Sequence, residues 1–230
     1  MFNVGKWKAE IIEILNSYNA FQNLIQDEDT LSFYVNKMSI VSWRDDSFPV
    51  NASLDVDTQL RSSEISAIKD ANQIYRRQMI VLIETHLEAI ISDFLECVFF
   101  VYPTRMYEYL NTENNVILKG KIDLKEILEA DSKDALIYRL ISRATNIATK
   151  GKFKTALNNF ERITKQQISA NLSKNLNSMV EQRNRIVHEA GNDAFTNEQV
   201  HENINYLFCF LGELREIAEK IKVEVNDPTE

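Results

Sequence analysis

Residues 62–102 read SSEISAIKDANQIYRRQMIVLIETHLEAIISDFLECVFFVY and contain neither glycine nor proline. Their apolar side chains recur at helical spacing and cover most of the helix circumference. A helix of this kind is buried against several neighbours. The pattern therefore predicts one long helix, from about Asp57 to Val101, that forms the spine of the fold. Pro103 should end it, because proline disfavours the helical conformation in the preceding residue.

Composition also favours helices. The chain of 230 residues has five glycines and three prolines, too few for the turns of an all-β fold, and 44% hydrophobic residues, enough for one sizeable core. No apolar run approaches the roughly 20 residues that a membrane-spanning helix needs, and the N-terminus lacks the apolar core of a signal peptide. We therefore expect a cytoplasmic protein with no membrane partner.

Apolar spacing predicts further helices on both sides of the spine. The first 26 residues form one, and residues 31–59 favour a short extended piece or a hairpin-like excursion. The later helices are expected at about 121–130, 132–149, 153–168, 172–190 and 196–221. The chain is thus an all-α, irregular helical bundle with a long central helix. Residues 1–56 would be an N-terminal helix and irregular connector, and residues 57–230 one helical domain.

Local signals mark the connections between these helices. Asn111–Gly120 is a polar loop, and Gly151 can supply a positive φ between two helices. Thr196 and Gln199 have the spacing of a capping box. The tail after Lys222 is expected to fray.

The two cysteines, Cys97 and Cys209, lie in apolar helical runs and are expected to be buried free thiols. No CxxC, HxxxH or HExxH motif is present, so neither a structural zinc site nor a zinc hydrolase is expected. A phosphate-binding loop and a glycine-rich dinucleotide loop are also absent from the sequence. The sequence therefore predicts no metal and no cofactor.

Charge is distributed unevenly. The net charge is −8, yet the window 139–185 holds ten basic and two acidic residues, so it carries +8 and the rest carries −16. A basic face on an acidic body is typical of a surface that contacts phosphates. Solvated lysines without a partner would give the same composition, and composition alone does not choose between the two.

Residues 183–188 read RNRIVH and lie near the end of a predicted helix. Asn184 and His188 are four residues apart, about 40° around the helix, so they can touch and the amide can select the imidazole tautomer. Arg183 is five residues from His188, about 140° around the axis. The two therefore converge only through the length of arginine or through a second copy of the helix.

An arginine and a histidine at one site suit RNA cleavage without a metal. Histidine titrates near neutrality and serves as base or acid, and arginine binds phosphate oxygens with two hydrogen bonds. Two copies of each across a two-fold axis would supply the base, the acid and the stabilising cation.

These residues resemble a known family. RNRIVH is similar to the R-x(4–6)-H signature of HEPN domains, with the polar Asn184 after the arginine, and LIETHLEAIISDFL looks like their apolar helix with a central glutamate, here Glu88. The resemblance covers about residues 60–220. It implies an all-helical dimer whose two motifs face each other. Many members are metal-independent endoribonucleases of toxin–antitoxin, abortive-infection or CRISPR-linked defence, and others are binding or scaffold domains.

The expected site follows from the motif and the resemblance. Its catalytic residues would be Arg183, Asn184 and His188, with RNA-binding or supporting roles for Arg185, Glu88, Arg76 and Arg77. Glu84 and Glu88 are four residues apart and share a face, and both are expected to hydrogen-bond to neighbouring helices or to orient Arg183. The expected partners are RNA, a second copy of the chain and an antitoxin or defence-system protein.

Purely structural interpretations of these residues stay open. Arg183 would pair with Glu181 or Glu189 on an ordinary surface, and His188 would favour a helix C-terminus through the macrodipole. His86 would be a semi-buried structural histidine, and His201 a surface residue. The competing functions are a non-catalytic HEPN-like module that binds RNA, a nucleotide or a protein, and a purely structural, antitoxin-like or effector-binding subunit.

Overall fold

The computed structural model describes residues 1–37, 39–43, 49–53, 58–110, 127–188 and 194–228. The all-α bundle with a long central helix is confirmed. Its helices are α1 (Val4–Gln26), α2 (Glu28–Lys37), α3 (Thr58–Val101), α4 (Lys133–Thr149), α5 (Phe153–Thr164), α6 (Ala170–His188) and α7 (Asn197–Lys220). A 3₁₀ turn, Pro103–Met106, follows α3. The short strands are β1 (Phe2–Asn3), β2 (Ser39–Trp43), β3 (Pro49–Ser53) and β4 (Val225–Asn226).

The predicted spine is α3, which packs against each of the other six helices named above. Most of the apolar side chains in its middle are buried, and Phe94 meets Phe2 and Phe160 with ring centroids 5.0 and 5.5 Å apart. Ile74, which the predicted apolar stripe includes, is exposed instead. Other helices pack on the opposite side of α3 at this turn, where Asn72 bonds to Gln22 and Tyr75 meets Phe21. The apolar residues of α3 are therefore buried only on the sides where other helices pack against it.

The predicted connections are mostly confirmed. Gly151 has φ +101° between α4 and α5, and Thr196 and Gln199 form both bonds of the capping box that opens α7. The helix predicted to reach residue 168 ends at Thr164, because Lys165 adopts a left-handed conformation with φ 58°. The hydroxyl of Thr164 donates to the carbonyl of Phe160 and so occupies one of the last carbonyls of the helix.

Residues 31–37 differ from the prediction, because they belong to the helix α2. Their β-branched and aromatic residues favour a strand locally, but Leu31 and Val35 form one helical face that packs on Ile65 and Ile68 of α3. The hairpin itself is confirmed further on, where β2 and β3 pair antiparallel from Ser39↔Ser53 to Trp43↔Pro49.

Three predicted features lie outside the described residues, at least in part. The loop Asn111–Gly120 and the helix end at Gly191 lie wholly outside them. Of the helix predicted at about 121–130, Ile127 and Leu128 are described and are helical.

The C-terminal tail is ordered as far as Pro228, so the expectation that it frays is wrong. Strand β4 pairs in parallel with β1, and the Asp227 carboxylate lies 2.6 Å from Nζ of Lys8 and 3.6 Å from Nη1 of Arg215. The Asp227 side chain is only 4% exposed. These contacts join the two ends of the chain, which a purely local pattern does not reveal.

Single residues also depart from expectation. Both cysteines are free, but Cys97 is half-buried and Cys209 is exposed, because an apolar run of five residues covers the whole circumference of a helix. His201, on α7, is half-buried against α1, and one ring nitrogen lies 2.8 Å from Oδ1 of Asn19. His86 is half-buried, as predicted. In the described part of the chain, no helix has the length and apolar character needed to cross a membrane.

Replacing Asp227 with asparagine is expected to lower the free energy of unfolding by about 1–3 kcal/mol, because a buried carboxylate with two cationic partners is lost. Urea denaturation followed by circular dichroism measures this. Glu224→Gln is the matched control: it makes the same charge change in the exposed part of the same segment and should shift stability by less than about 0.5 kcal/mol. Equal stability of the two variants would mean that the tail does not hold the termini together.

Candidate functional site

The candidate site lies where α3 and α6 cross. The two helices run antiparallel, because Arg183 of α6 meets Glu84, whereas Phe195, beyond α6, bonds to Gln73 and Arg76 nearer the start of α3. The core residues of α6 seat it against the bundle, and these are Leu172, Leu176, Met179 and Val180. The last turns of α6, with the RNRIVH motif, therefore lie along the middle of the spine.

Arg183 is fixed by two partners. Its Nε lies 3.4 Å from Oε2 of Glu84, and its Nη1 donates to Oδ1 of Asn184 at 3.1 Å. The Glu84 side chain is 1% exposed and that of Arg183 is 28% exposed. The Nε atom is buried and has no hydrogen bond, so the contact with Glu84 is an ion pair rather than a well-aligned hydrogen bond. One edge of the guanidinium is thus held by the protein and part of the group stays open to solvent.

The electrostatics of Glu84 are unusual for a glutamate. Burial, with smaller contributions from the neighbouring Glu88 carboxylate and from a hydrogen bond between the two groups, raises the pKa of its carboxyl group to about 7. Arg183 acts in the opposite direction but does not outweigh the burial. Near neutral pH the Glu84 carboxyl group is therefore protonated for part of the time.

His188 is exposed at the end of α6. Within the described residues its imidazole has no hydrogen bond, and the expected contact with Asn184 is not formed. The physical reason is that the amide oxygen of Asn184 accepts from Arg183 instead. The structure thus joins Arg183 to Asn184, whereas His188 lies one helical turn further on and faces solvent.

A groove opens beside Arg183. It encloses about 950 Å³ and is bounded by α3, α6 and the turn from Gly151 into α5. Its lining includes the four cations Lys152, Lys154, Lys174 and Arg183 and the three acids Glu84, Glu88 and Glu181. Among the residues described, His188 is not part of this lining. The groove therefore leads to the arginine of the motif and not to its histidine.

The basic window 139–185 converges only in part. Four of its cations line this groove, and Arg139, Arg143 and Lys150 line a separate depression of about 410 Å³ on α4. Arg162 lies elsewhere, against Tyr109 and Glu108. The cations of this window therefore form two separate clusters, and Arg162 lies apart from both.

The other predicted supporting residues have different surroundings. Glu88 lines the groove and is exposed, so Glu84 rather than Glu88 is the partner of Arg183. Arg76 donates to the carbonyl of Phe195 and to the side chain of Gln22. Its guanidinium therefore links α3 to α1 and to the segment before α7. Arg77 is half-buried, and its Nε lacks a hydrogen bond.

Arg185 is exposed on α6. It is two residues from Arg183, which places it about 200° around the helix and away from the groove. Of the predicted supporting residues, Glu88 is the one that shares the groove with Arg183.

The sequence held a signal for Glu84 that the prediction used only in part. Glu84 stands in a buried helical row with Ile80, Ile83 and Leu87, so a charge there requires a partner. The groove lysines belong to the basic window 139–185. Two of them, Lys152 and Lys154, follow Gly151. This glycine separates α4 from α5, so both lysines lie where α5 begins, close to the end of α4.

The fold and the motif define an all-helical domain of the HEPN type. The chain belongs to the RiboL-PSP-HEPN family, whose model matches residues 56–222. The match includes α3 to α7 and therefore the whole Arg183–His188 segment. No curated protein and no solved structure gives a significant match to the chain. Membership of this family identifies a HEPN-type, RNA-related module.

The raised pKa of Glu84 predicts a specific pH dependence of stability. A carboxyl whose pKa is higher in the folded state stabilises the fold at low pH, and this contribution is lost as the pH rises through about 7. Between pH 5 and pH 8 this group should lower the free energy of unfolding by as much as ~3 kcal/mol.

Glu84→Gln should remove most of this decline, which urea denaturation at the two pH values measures. Glu181→Gln, an exposed position on α6, is the control and should decline as the wild type does. A Glu84→Gln variant with an unchanged pH profile would show that the Glu84 carboxyl titrates normally.

Proposed function

We propose that the protein is a metal-independent HEPN-type endoribonuclease that acts as a homodimer. The observation that carries this proposal is the partly exposed guanidinium of Arg183, which Glu84 and Asn184 hold at the end of a basic groove within the family's motif. A fixed arginine with open hydrogen-bond donors is suited to a phosphate that gains negative charge.

The chemistry assigns a role to each motif residue. His188 removes the proton from a ribose 2′-hydroxyl, and the 2′-oxygen attacks the adjacent phosphorus. The bond to the 5′-oxygen breaks, and that oxygen takes a proton from an acid. The products are a 2′,3′-cyclic phosphate and a 5′-hydroxyl. Arg183 stabilises the charge on the non-bridging oxygens during the attack.

A second copy of the chain would bring an arginine and a histidine of the motif together, which one copy does not do. The lone protomer separates Arg183, at the groove, from the exposed His188 about 140° around the same helix. Val187 beside it is 48% exposed, so this end of α6 offers an apolar contact to another molecule. A two-fold axis near the end of α6 would bring two arginines and two histidines to one cleft and provide both the base and the acid.

The structure also contains an observation that favours a non-catalytic HEPN-like module. In the described residues, no side chain orients the imidazole of His188, and a catalytic histidine usually has a partner that fixes its tautomer. On this alternative the groove binds RNA, a nucleotide or a protein without turnover. The defence or toxin–antitoxin setting, with an antitoxin or similar partner, is the biological context that we propose for either activity.

Cleavage of a labelled RNA in EDTA tests the catalytic proposal. Arg183→Ala and His188→Ala should each reduce the rate by about 100-fold or more, because each removes a group that acts on the transition state. Arg183→Lys should fall between wild type and alanine, since lysine keeps the charge but loses the two-pronged donor. Arg162→Ala, an exposed arginine outside the groove, is the control and should cut normally.

Two results would contradict the proposal. If both alanine variants cut as well as the wild type, the motif is not the active site. If the wild type binds RNA but never cuts it, the non-catalytic module is correct.

Light scattering after size exclusion tests the dimer. We expect a mass of two chains for the wild type, and a shift towards the monomer for Val187→Glu, which places a charge in the proposed interface. Leu128→Glu is the control, because Leu128 is 75% exposed and lies outside α6. A wild type that stays monomeric at the concentration where it cuts RNA would exclude the composite site.

A further inference from the structure

In the described part of the chain, the side chains of three groove lysines form neither an ion pair nor a hydrogen bond. These are Lys152, Lys154 and Lys174, which come from two different segments of the chain. Lysines elsewhere on the surface do pair, as Lys69 does with Glu28 and Lys220 with Glu216. Cations that converge on a concave surface without an internal counter-charge are suited to an anionic ligand.

The carboxylates in the groove do not cancel this charge. Glu84 is already paired with Arg183, and burial raises the pKa of its carboxyl group to about 7, so it carries less than a full negative charge near neutral pH. The remaining acid, Glu181, is exposed and lies on the same helix as Lys174. Positive charge is therefore in excess along the groove.

A second, smaller pocket adjoins the groove. It encloses about 280 Å³ and shares Glu88, Gly151 and Phe153 with it. Much of the rest of its lining is small, with Ala89 and Ser92 of α3 on one side. A charged groove with a compact side pocket matches a polymer whose backbone is anionic and whose side groups are flat rings with polar edges.

We propose that this groove binds the backbone of a single-stranded RNA next to Arg183, with Lys152, Lys154 and Lys174 as its phosphate contacts. The adjoining pocket receives one base turned out of the strand. A single strand fits because its bases are free to leave the stack, whereas those of a duplex are paired. This inference rests on the proposed function and adds the path of the substrate, which the motif alone does not give.

The experiment measures RNA affinity without cleavage. Fluorescence anisotropy of a labelled 12-nucleotide RNA is recorded in the His188→Ala background at several salt concentrations. Replacing Lys152, Lys154 and Lys174 together with alanine should lower the affinity at least tenfold and reduce the slope of log K against log salt by about 2, since each phosphate contact on a single strand contributes about 0.7. Their joint replacement with arginine should restore both.

A matched triple variant controls for charge. Lys6, Lys69 and Lys220 are exposed lysines outside the groove, and their replacement with alanine removes the same charge. This control should change the affinity less than threefold. Ala89→Phe fills the side pocket and should weaken binding severalfold while leaving the salt slope unchanged, because no phosphate contact is removed.

The outcomes separate this inference from the proposed function. Equal losses in the groove variant and the control would overturn the groove as the RNA path, even if the wild type cuts RNA. Equal affinity for a duplex of the same sequence would overturn the single-stranded assignment. Competition by a poly-glutamate peptide as strong as that by RNA would assign the groove to an acidic protein instead. A wild type that binds through these lysines but never cuts would support the groove and contradict only the catalysis.

Discussion

The buried carboxyl group of Glu84 is the constraint on which the site depends. It lies in the middle of α3 among isoleucine and leucine side chains, where an uncompensated charge would cost several kcal/mol. The fold meets this constraint in two ways. Arg183 supplies an opposite charge at 3.4 Å, and the raised pKa of Glu84 lets the group hold a proton near neutral pH. Both depend on α6 lying against this part of the spine.

The groove beside this ion pair takes its cations from two segments of the chain. Lys174 lies on α6, more than two turns before Arg183, and lines the same groove. The tight turn at Gly151, which needs its positive φ, starts α5 close to the same groove and brings Lys152 and Lys154 to its edge. A structural ion pair and a candidate phosphate site thus share one guanidinium.

Much of the fold could be predicted from sequence because its signals are local. The bounds of α1, α3 and α7 follow from apolar spacing together with Pro103 and the Thr196 capping box. Helix α2 was missed because residues 31–37 have strand-like composition, and only packing on α3 makes them helical. The order of the tail was missed because β4 is stabilised by β1, at the other end of the chain.

In the site, too, local features could be predicted from the sequence and packing-dependent ones could not. The motif and its helix were found from residue spacing, and the region that matches the family model includes that helix. Spacing could not decide between Glu84 and Glu88 as the partner of Arg183, because both lie on one face of α3 and the choice depends on how far α6 slides along it. Nor could it show that Asn184 would bond to Arg183 rather than to His188, since both partners are within its reach.

A double-mutant cycle between Glu84→Gln and Arg183→Ala tests most directly whether this ion pair organises the site. The free energy of unfolding of the wild type, both single variants and the double variant is measured in urea at pH 8 and at pH 5. The account predicts a coupling energy of about 1–3 kcal/mol at pH 8, where Glu84 is mostly ionised, and a smaller one at pH 5, where it is protonated. Additive effects at both pH values would show that Glu84 does not hold Arg183 in place.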